Sequence, residues 1–502
     1  MSTAPATTPP PDATLGHSAI AGVVWTALQR WVTRLTGFAT VVLLTHLLAP
    51  ADFGTVAVAL SVLPLIYLLV DMGFGTYLVQ ADDADEALVS TVFWYALAAG
   101  ILLAGGLAAA APLIAGSLHV PQAAGILYGL VPLVVISSVG GVPNALLRRK
   151  MRFRALAVQA IAAALISQVV TVTLALLGAG AWALVAQVMT AQTIATVFAW
   201  VAAGWRPRPL FRPEELRRIA GFGINVFGVE IVALARTWGE NLLIVTTLGV
   251  SGLGYLNVAQ RLIQAAQDLS SAAILPVSTV FFAKVRESGE RLRAGYLRAL
   301  GLTYAAVVPV MVMLVVGAPR VVPVVFGHQW GHSVVPVEAL AVAGVLTVAA
   351  TLDQTLFYGS GRPGRWLGYA VVIDALTVVT TAALVHRGLV ATSLGFVGVA
   401  AVATAWRWRL VGSLLGISAR AVARPFGHVA VAALVSGAAG TLTASATAGL
   451  SPVASIALIA VVVLVVHASV VRLVLAEEYA ELLHLARRLT GRWAHVGGVR
   501  RA

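Results

Sequence analysis

The sequence predicts an all-α integral membrane protein of about 14 transmembrane helices. An internal repeat divides them into two pseudo-symmetric halves of six helices, with two extra C-terminal helices. Three observations predict it. Of 502 residues, 59% are hydrophobic and 11% charged, and the mean hydropathy is +0.92; that balance excludes a soluble globular domain. Apolar runs of about 20 residues, long enough to cross roughly 30 Å of hydrocarbon, recur along the whole chain. A helix is the open element that satisfies its own backbone in lipid. Finally, Leu48, Phe53 and Gly54 in LLAPADFG (47–54) return as Leu248, Leu253 and Gly254 in TLGVSGLG (247–254), an internal repeat. Repeats of this parallel kind are related by an axis along the membrane normal, with the substrate path between them.

Residues 1–18 open on MSTAPATTPPPDATLG, which has neither a basic n-region nor an apolar core, and read as a disordered tail rather than a signal peptide. Twelve spans follow near 19–48, 54–80, 87–111, 122–142, 155–178, 182–203, 219–248, 254–282, 299–318, 336–359, 366–385 and 393–415. The first six form an N-terminal bundle within 19–210 and the next six a C-terminal bundle within 211–420. Helices 13 and 14 (425–447 and 453–475) occupy 421–475. The tail, 476–502, is basic and cytoplasmic; Leu482, Leu485 and Leu489 share a helical face there, consistent with an amphipathic surface helix or a plain helix end.

The net charge of +13 is a topology signal rather than a nucleic-acid footprint. With both termini cytoplasmic, the inner connections and tail carry 24 of the 33 Lys and Arg residues, in RRKMRFR (148–154), WRPRPLFRPEELRR (205–218), KVRESGERLRAGYLR (284–298), GRPGR (361–365), Arg420, Arg424 and the arginine-rich end. The outer connections hold Arg320 and Arg387. That is the positive-inside asymmetry, and no aromatic-interleaved basic platform accompanies it. With no cysteine, disulfides and thiolate metal sites are excluded.

Charges inside the spans are the candidate functional residues. An arginine at a helix centre costs about 2.5–3.5 kcal/mol on insertion scales, so it belongs against protein or water. Arg30 and Arg34, near the middle of the first span, stand one turn apart on one face. Two guanidinium forks there suit a pyrophosphate or anionic sugar; an internal ion pair is the structural alternative. Arg236 and Arg261 are further substrate-binding candidates, although Arg236 has Glu240 one turn away to neutralise it, and Asp268 stands two turns from Arg261. Glu230 occupies the position equivalent to Arg30, so the halves are not copies. Arg407 and Arg409 in AWRWRL (405–410), beside Trp406 and Trp408, read as interfacial anchors. The ion-coupling candidates are Asp374, Asp268, Asp71 and Glu240, because coupling needs a carboxylate whose occupancy differs between two states. Asp374 stands farthest in sequence from basic residues, whereas Asp71, near Gly73 and Gly75, also fits a helix cap. His328 and His332 have ligand-like spacing but no third ligand nearby, so no metal and no cofactor is expected.

The stretch THLLAPADFGTVAVALSVLPLIYLLVDMGFGTYLVQ (45–80) resembles the opening of bacterial polysaccharide flippases. These are the O-antigen and exopolysaccharide exporters of the multidrug/oligosaccharidyl-lipid/polysaccharide exporter superfamily. The matching features are Pro50 to Gly54 and Asp71 to Gly73 before YLVQ. RRKMRF (148–153), GAGAWALVAQ (178–187), LGVSGLGYLNVAQRL (248–262), VVFGHQW (324–330) and GSGRP (359–363) then follow in the order of that family's landmarks. The likeness covers roughly residues 20–415. It implies two six-helix bundles around a central cavity, alternating access between them, and flipping of a polyprenyl-pyrophosphate-linked oligosaccharide across the bacterial cytoplasmic membrane, without enzymatic activity. It also implies a lipid groove at helices 13 and 14, as in some members, and partners among the polymerase and glycosyltransferases of the same pathway. A lipid II flippase and a multidrug antiporter are rivals within the superfamily. A membrane glycosyltransferase or polymerase is the rival outside it, and the longest outer segment, about 319–335, offers no Asp or Glu for such catalysis.

Overall fold

The computed structural model describes residues 11–72, 74–80, 85–117, 120–271, 289–360 and 362–474, and their regular elements are all helical. The elements are α1 (Pro11–Leu47), α2 (Pro50–Leu60), α3 (Leu63–Asp71), α4 (Phe74–Gln80), α5 (Glu86–Ser117), α6 (Gln122–Arg149), α7 (Phe153–Leu176), α8 (Ala181–Ala203) and α9 (Pro213–Ser271). After them come α10 (Gly289–Phe326), α11 (Val334–Thr347), α12 (Ala350–Gly359), α13 (Pro363–Leu384), α14 (Leu389–Leu415), α15 (Ala419–Ala446) and α16 (Pro452–Val474). Among the described residues, twelve stretches are long and apolar enough to cross a membrane. The chain is a multi-pass membrane protein.

Local chemistry sets the breaks. Pro50 opens α2 from an extended Ala49, and the Asp52 carboxylate accepts the Ala49 N–H at 3.0 Å, closing one orphan donor. The equivalent of Ala49 in the repeat is Gly249, where φ 74° and ψ 175° interrupt α9. The sequence's seventh and eighth spans therefore run through one helical element with a break at the repeat position. Only glycine takes that backbone region without strain. The second span is itself in three pieces. Pro64 opens α3, the Trp238 indole N–H donates to the Ser61 carbonyl at the first break, and a left-handed Met72 (φ 42°) ends α3 at the second.

Packing divides the chain into two compact units, Met1–Thr246 and Thr247–Ala502. The division falls within α9, so Arg236 and Glu240 group with the first unit rather than with the second half of the repeat. In that first unit α5 packs on α6, α6 on α8, α7 on α8 and α1 on α7. Small residues allow the close approach, as membrane helices require. A Cβ at Gly100 would stand 2.4 Å from Ser138 Oγ, and one at Gly140 would stand 2.5 Å from Thr196 Oγ1. In the second unit α10 is the central helix, and α11, α15 and α16 all pack on it. Its core gathers Tyr296, Tyr304, Leu352, Phe357, Val429 and Val463. Helices 13 and 14 of the sequence are α15 and α16; they pack on each other, and Arg320 of α10 donates to the Ala444 carbonyl at 2.6 Å. Large apolar side chains such as Leu102, Leu177 and Leu434 are each 76% exposed, as expected where hydrocarbon rather than water is the solvent.

Candidate functional site

On α1, Thr33, Thr36 and Thr40 each donate a hydroxyl back to the carbonyl one turn earlier, at 2.8, 2.6 and 2.9 Å, which satisfies them within the helix. Gly37 faces the Gln168 amide of α7, and the Arg154 guanidinium lies 5.7 Å from the centre of the Trp25 ring. Those contacts fasten α1 to α7. Arg30 and Arg34 are exposed together with Trp31 and Leu35. The structure thus keeps the pair together, as the i, i+4 spacing predicts, on a surface of the first unit.

The other candidates are dispersed. Arg236 Nη1 meets Glu240 Oε1 at 2.9 Å, with Glu240 only 7% exposed, an ion pair one turn apart on α9. Arg261 is exposed in the second unit, and its Nε donates to Asn257 Oδ1 at 2.9 Å. Asp374 is half-buried on α13. The side chains of Glu230 and Asp268 and the amphipathic segment 477–489 lie outside the described residues. His332 rests edge-on against Tyr255, ring centres 5.2 Å apart.

Asp71 sits at the break between α3 and α4. Its Oδ1 accepts the Gly75 N–H at 3.0 Å, so the carboxylate caps the break, as the neighbouring glycines suggest. The same carboxylate lines a cavity of about 200 Å³ inside the first unit.

One polar cluster departs from the sequence reading. Arg407 is 2% exposed and Asp353 3%; Arg407 Nη1 and Asp353 Oδ2 are 2.9 Å apart. Arg407 Nη2 also donates to the Leu346 carbonyl at 2.7 Å and Thr404 Oγ1 at 2.9 Å, and the Tyr296 hydroxyl donates to Asp353 Oδ1. Arg407 is therefore an internal clamp joining α10, α11, α12 and α14, not an interfacial anchor. The expectation fails because neighbouring helix positions point about 100° apart. Arg409 is exposed, while Arg407 shares a face with buried Ala403, Thr404 and Val411. The signal in the sequence was Asp353, an acidic residue inside another span, 54 residues away.

The sequence pattern of a polysaccharide biosynthesis protein family matches residues 43–335. The succinoglycan biosynthesis transport protein ExoT of Rhizobium meliloti is 29% identical over 368 residues, covering 73% of this chain and 74% of its own. The lipopolysaccharide biosynthesis protein WzxC of Escherichia coli is 23% identical over 355 residues, covering 69% and 71%. Among solved structures, the lipid II flippase MurJ in an inward closed conformation superimposes with a TM-score of 0.73 at 12% identity, over 91% of this chain and 100% of MurJ. An inward-facing multidrug resistance transporter of the MATE family gives 0.59 at 18% identity, over 79% and 99%. At such identities the likeness speaks for the fold alone.

Proposed function

This chain belongs to the polysaccharide biosynthesis protein family, and from that premise we propose that it is a flippase. Its substrate is a polyprenyl-pyrophosphate-linked oligosaccharide, which it moves across the bacterial cytoplasmic membrane by alternating access. The relatives support the transport role: one curated relative carries transport in succinoglycan biosynthesis in its name, and the fold is shared with a lipid II flippase. Two compact units supply the two bodies that a rocking motion requires.

The observation that carries the substrate class is the pair of exposed arginines on one face of α1. At 1.5 Å per residue, Arg34 and Arg30 stand about 20 and 25 Å from the Leu47 end of the helix. With that end at the outer boundary of a roughly 30 Å hydrocarbon layer, both guanidinium groups lie toward the cytoplasmic side, the leaflet where the substrate is loaded. A guanidinium is always charged and grips phosphate oxygens in pairs, so a pyrophosphate head group is the natural ligand, and the polyprenyl tail stays in lipid. Arg261 is a secondary candidate on the second unit. Arg236, neutralised by Glu240, is assigned to holding α9. The termini are cytoplasmic in this reading, by the distribution of arginines among the connections, and the partners are the polymerase and glycosyltransferases that consume and make such a substrate.

The test uses proteoliposomes containing the purified protein and a labelled polyprenyl-pyrophosphate oligosaccharide, scored by protection of the sugar from an external glycosidase. Wild type is expected to flip and Arg34→Ala to fail. Flipping by both would move the anion site elsewhere, and flipping by neither, with folded protein, would overturn the substrate. An export-independent drug-resistance phenotype on overexpression would favour the multidrug antiporter instead.

A further inference from the structure

On the stretch of α9 after the Gly249 break, Asn257, Gln260, Arg261 and Gln264 share one face, at i, i+3, i+4 and i+7. Gln260, Arg261 and Gln264 are exposed and Asn257 is half-buried, whereas Val258, Ala259, Leu262 and Ile263 on the other side are buried in the second unit. That is the reverse of a lipid-facing helix. The head-group reading uses none of the three amides.

Depth makes the pattern informative. At 1.5 Å per residue, Asn257 and Gln264 stand about 12 and 22 Å along the helix from Gly249. With that break at the outer boundary of a roughly 30 Å hydrocarbon layer, both lie well inside it. Three carboxamides and a guanidinium facing hydrocarbon there would forfeit their hydrogen bonds to water, so this face is wetted. Within it, Arg261 Nε donates to Asn257 Oδ1 at 2.9 Å, which positions both side chains and commits only one of the guanidinium donors. Further along the helix, the next amide, Gln267, meets protein instead. Bare Gly344 of α11 admits it, since a Cβ there would stand 3.1 Å from Gln267 Nε2.

We propose that this face is the contact surface for the sugar part of the substrate, an assignment that rests on the flippase reading. A carboxamide both donates and accepts hydrogen bonds, as a sugar hydroxyl does, so each amide can pair with a hydroxyl in either role. Amides a turn apart offer equivalent contacts to successive hydroxyls. One cation among three neutral amides suits a polyhydroxylated chain of little charge, whereas a diphosphate calls for clustered guanidinium groups such as the pair on α1. Gln260 and Gln264 therefore contact the oligosaccharide, and Arg261, held by Asn257, donates to its oxygens.

The test measures the affinity of the full-length protein in detergent for two labelled probes, polyprenyl pyrophosphate and the same lipid carrying an oligosaccharide. Wild type is expected to bind the glycosylated probe about tenfold more tightly or better, the worth of two or three hydrogen bonds. Gln260→Leu and Gln264→Leu should each lose about two- to tenfold of that affinity and bind the bare lipid as wild type does. Arg34→Ala should weaken both probes alike. Because the chain has no cysteine, Gln260→Cys and Gln264→Cys give a second readout. Both should react with a charged, water-borne thiol reagent, and the glycosylated probe should protect them better than the bare lipid. Equal affinity of wild type for the two probes, or undiminished affinity in the Gln260→Leu/Gln264→Leu double variant, overturns the sugar surface and leaves the flippase reading standing. Unreactive cysteines in folded protein overturn it too, because the face is then dry. If the leucine variants do not fold, equal protection of the cysteines by both probes overturns it. Binding of neither probe by folded wild type removes the flippase reading, and the sugar surface with it.

Discussion

Arg34 and Arg407 are both guanidinium groups on membrane helices, yet their surroundings assign them opposite work. Arg34 is exposed on one face of α1 with Arg30, where a mobile anion can reach it. Arg407 is enclosed with its own counter-charge and two further acceptors, the three partners spread over three helices. Removing one partner of a buried pair leaves the other charge uncompensated, at about 3–5 kcal/mol. Arg407→Ala is therefore expected to lower the thermal unfolding midpoint in detergent markedly, whereas Arg34→Ala should abolish flipping. Replacing Asp353 and Arg407 together by Leu and Met should recover most of the lost stability, because well-packed apolar groups can substitute for a buried ion pair. A double variant as unstable as Arg407→Ala would mean that the Tyr296 and Leu346 contacts dominate. The α1 pair was legible from spacing and hydropathy alone. The Asp353–Arg407 pair was not, because its two members sit on different spans and each has an ordinary local pattern.

At the scale of elements, the breaks matter as much as the helices. Gly249 holds φ 74° and ψ 175° at the repeat junction of α9, a region that costs a residue with a Cβ about 1–3 kcal/mol. Gly249→Ala should lower the unfolding midpoint by a corresponding few degrees, while the same change at open Gly105 on α5 should have little effect. Gly140 of α6 is a different case, since its restriction is steric: a Cβ would stand 2.5 Å from Thr196 Oγ1 of α8. Gly140→Val should destabilise by about 1–3 kcal/mol through overpacking, and Thr196→Ala should relieve part of it. Unchanged melting in Gly140→Val would show that α6 and α8 separate more readily than their packing indicates. The repeat junction was readable from LLAPADFG and TLGVSGLG, because turn-forming residues between two apolar runs carry their own signal. The three-piece second span was less so; Gly73 and Gly75 marked a break after Asp71, but its left-handed residue is a methionine, a type that seldom adopts that region.

For the whole molecule, the cysteine-free sequence makes orientation directly testable. A single cysteine at Gly178, in the turn between α7 and α8, should react with a membrane-impermeant maleimide in intact cells. One at Gly204, after α8, should react only once the membrane is opened. The reverse pattern would invert the topology and place the α1 arginines toward the outer leaflet, against loading from the cytoplasm. Packing and repeat also divide the chain differently. The repeat places a boundary near residue 210, whereas the contacts gather residues up to Thr246 with the first unit.

By itself the sequence determined that this is a helical membrane protein crossed many times by apolar spans, and the family it resembles. All of these follow from composition, run length and short-range pattern, which the bilayer reads one helix at a time. The tertiary structure alone decided which intramembrane charges meet. Arg407 turns inward to Asp353, Asp71 opens onto a cavity, and Arg30 and Arg34 stay at the surface of their unit, whereas the pairing of Arg236 with Glu240, one turn apart on one helix, was already legible in the spacing. The physical reason is that a helix's sequence specifies which residues share a face, whereas the neighbour that face meets is set by packing between distant spans.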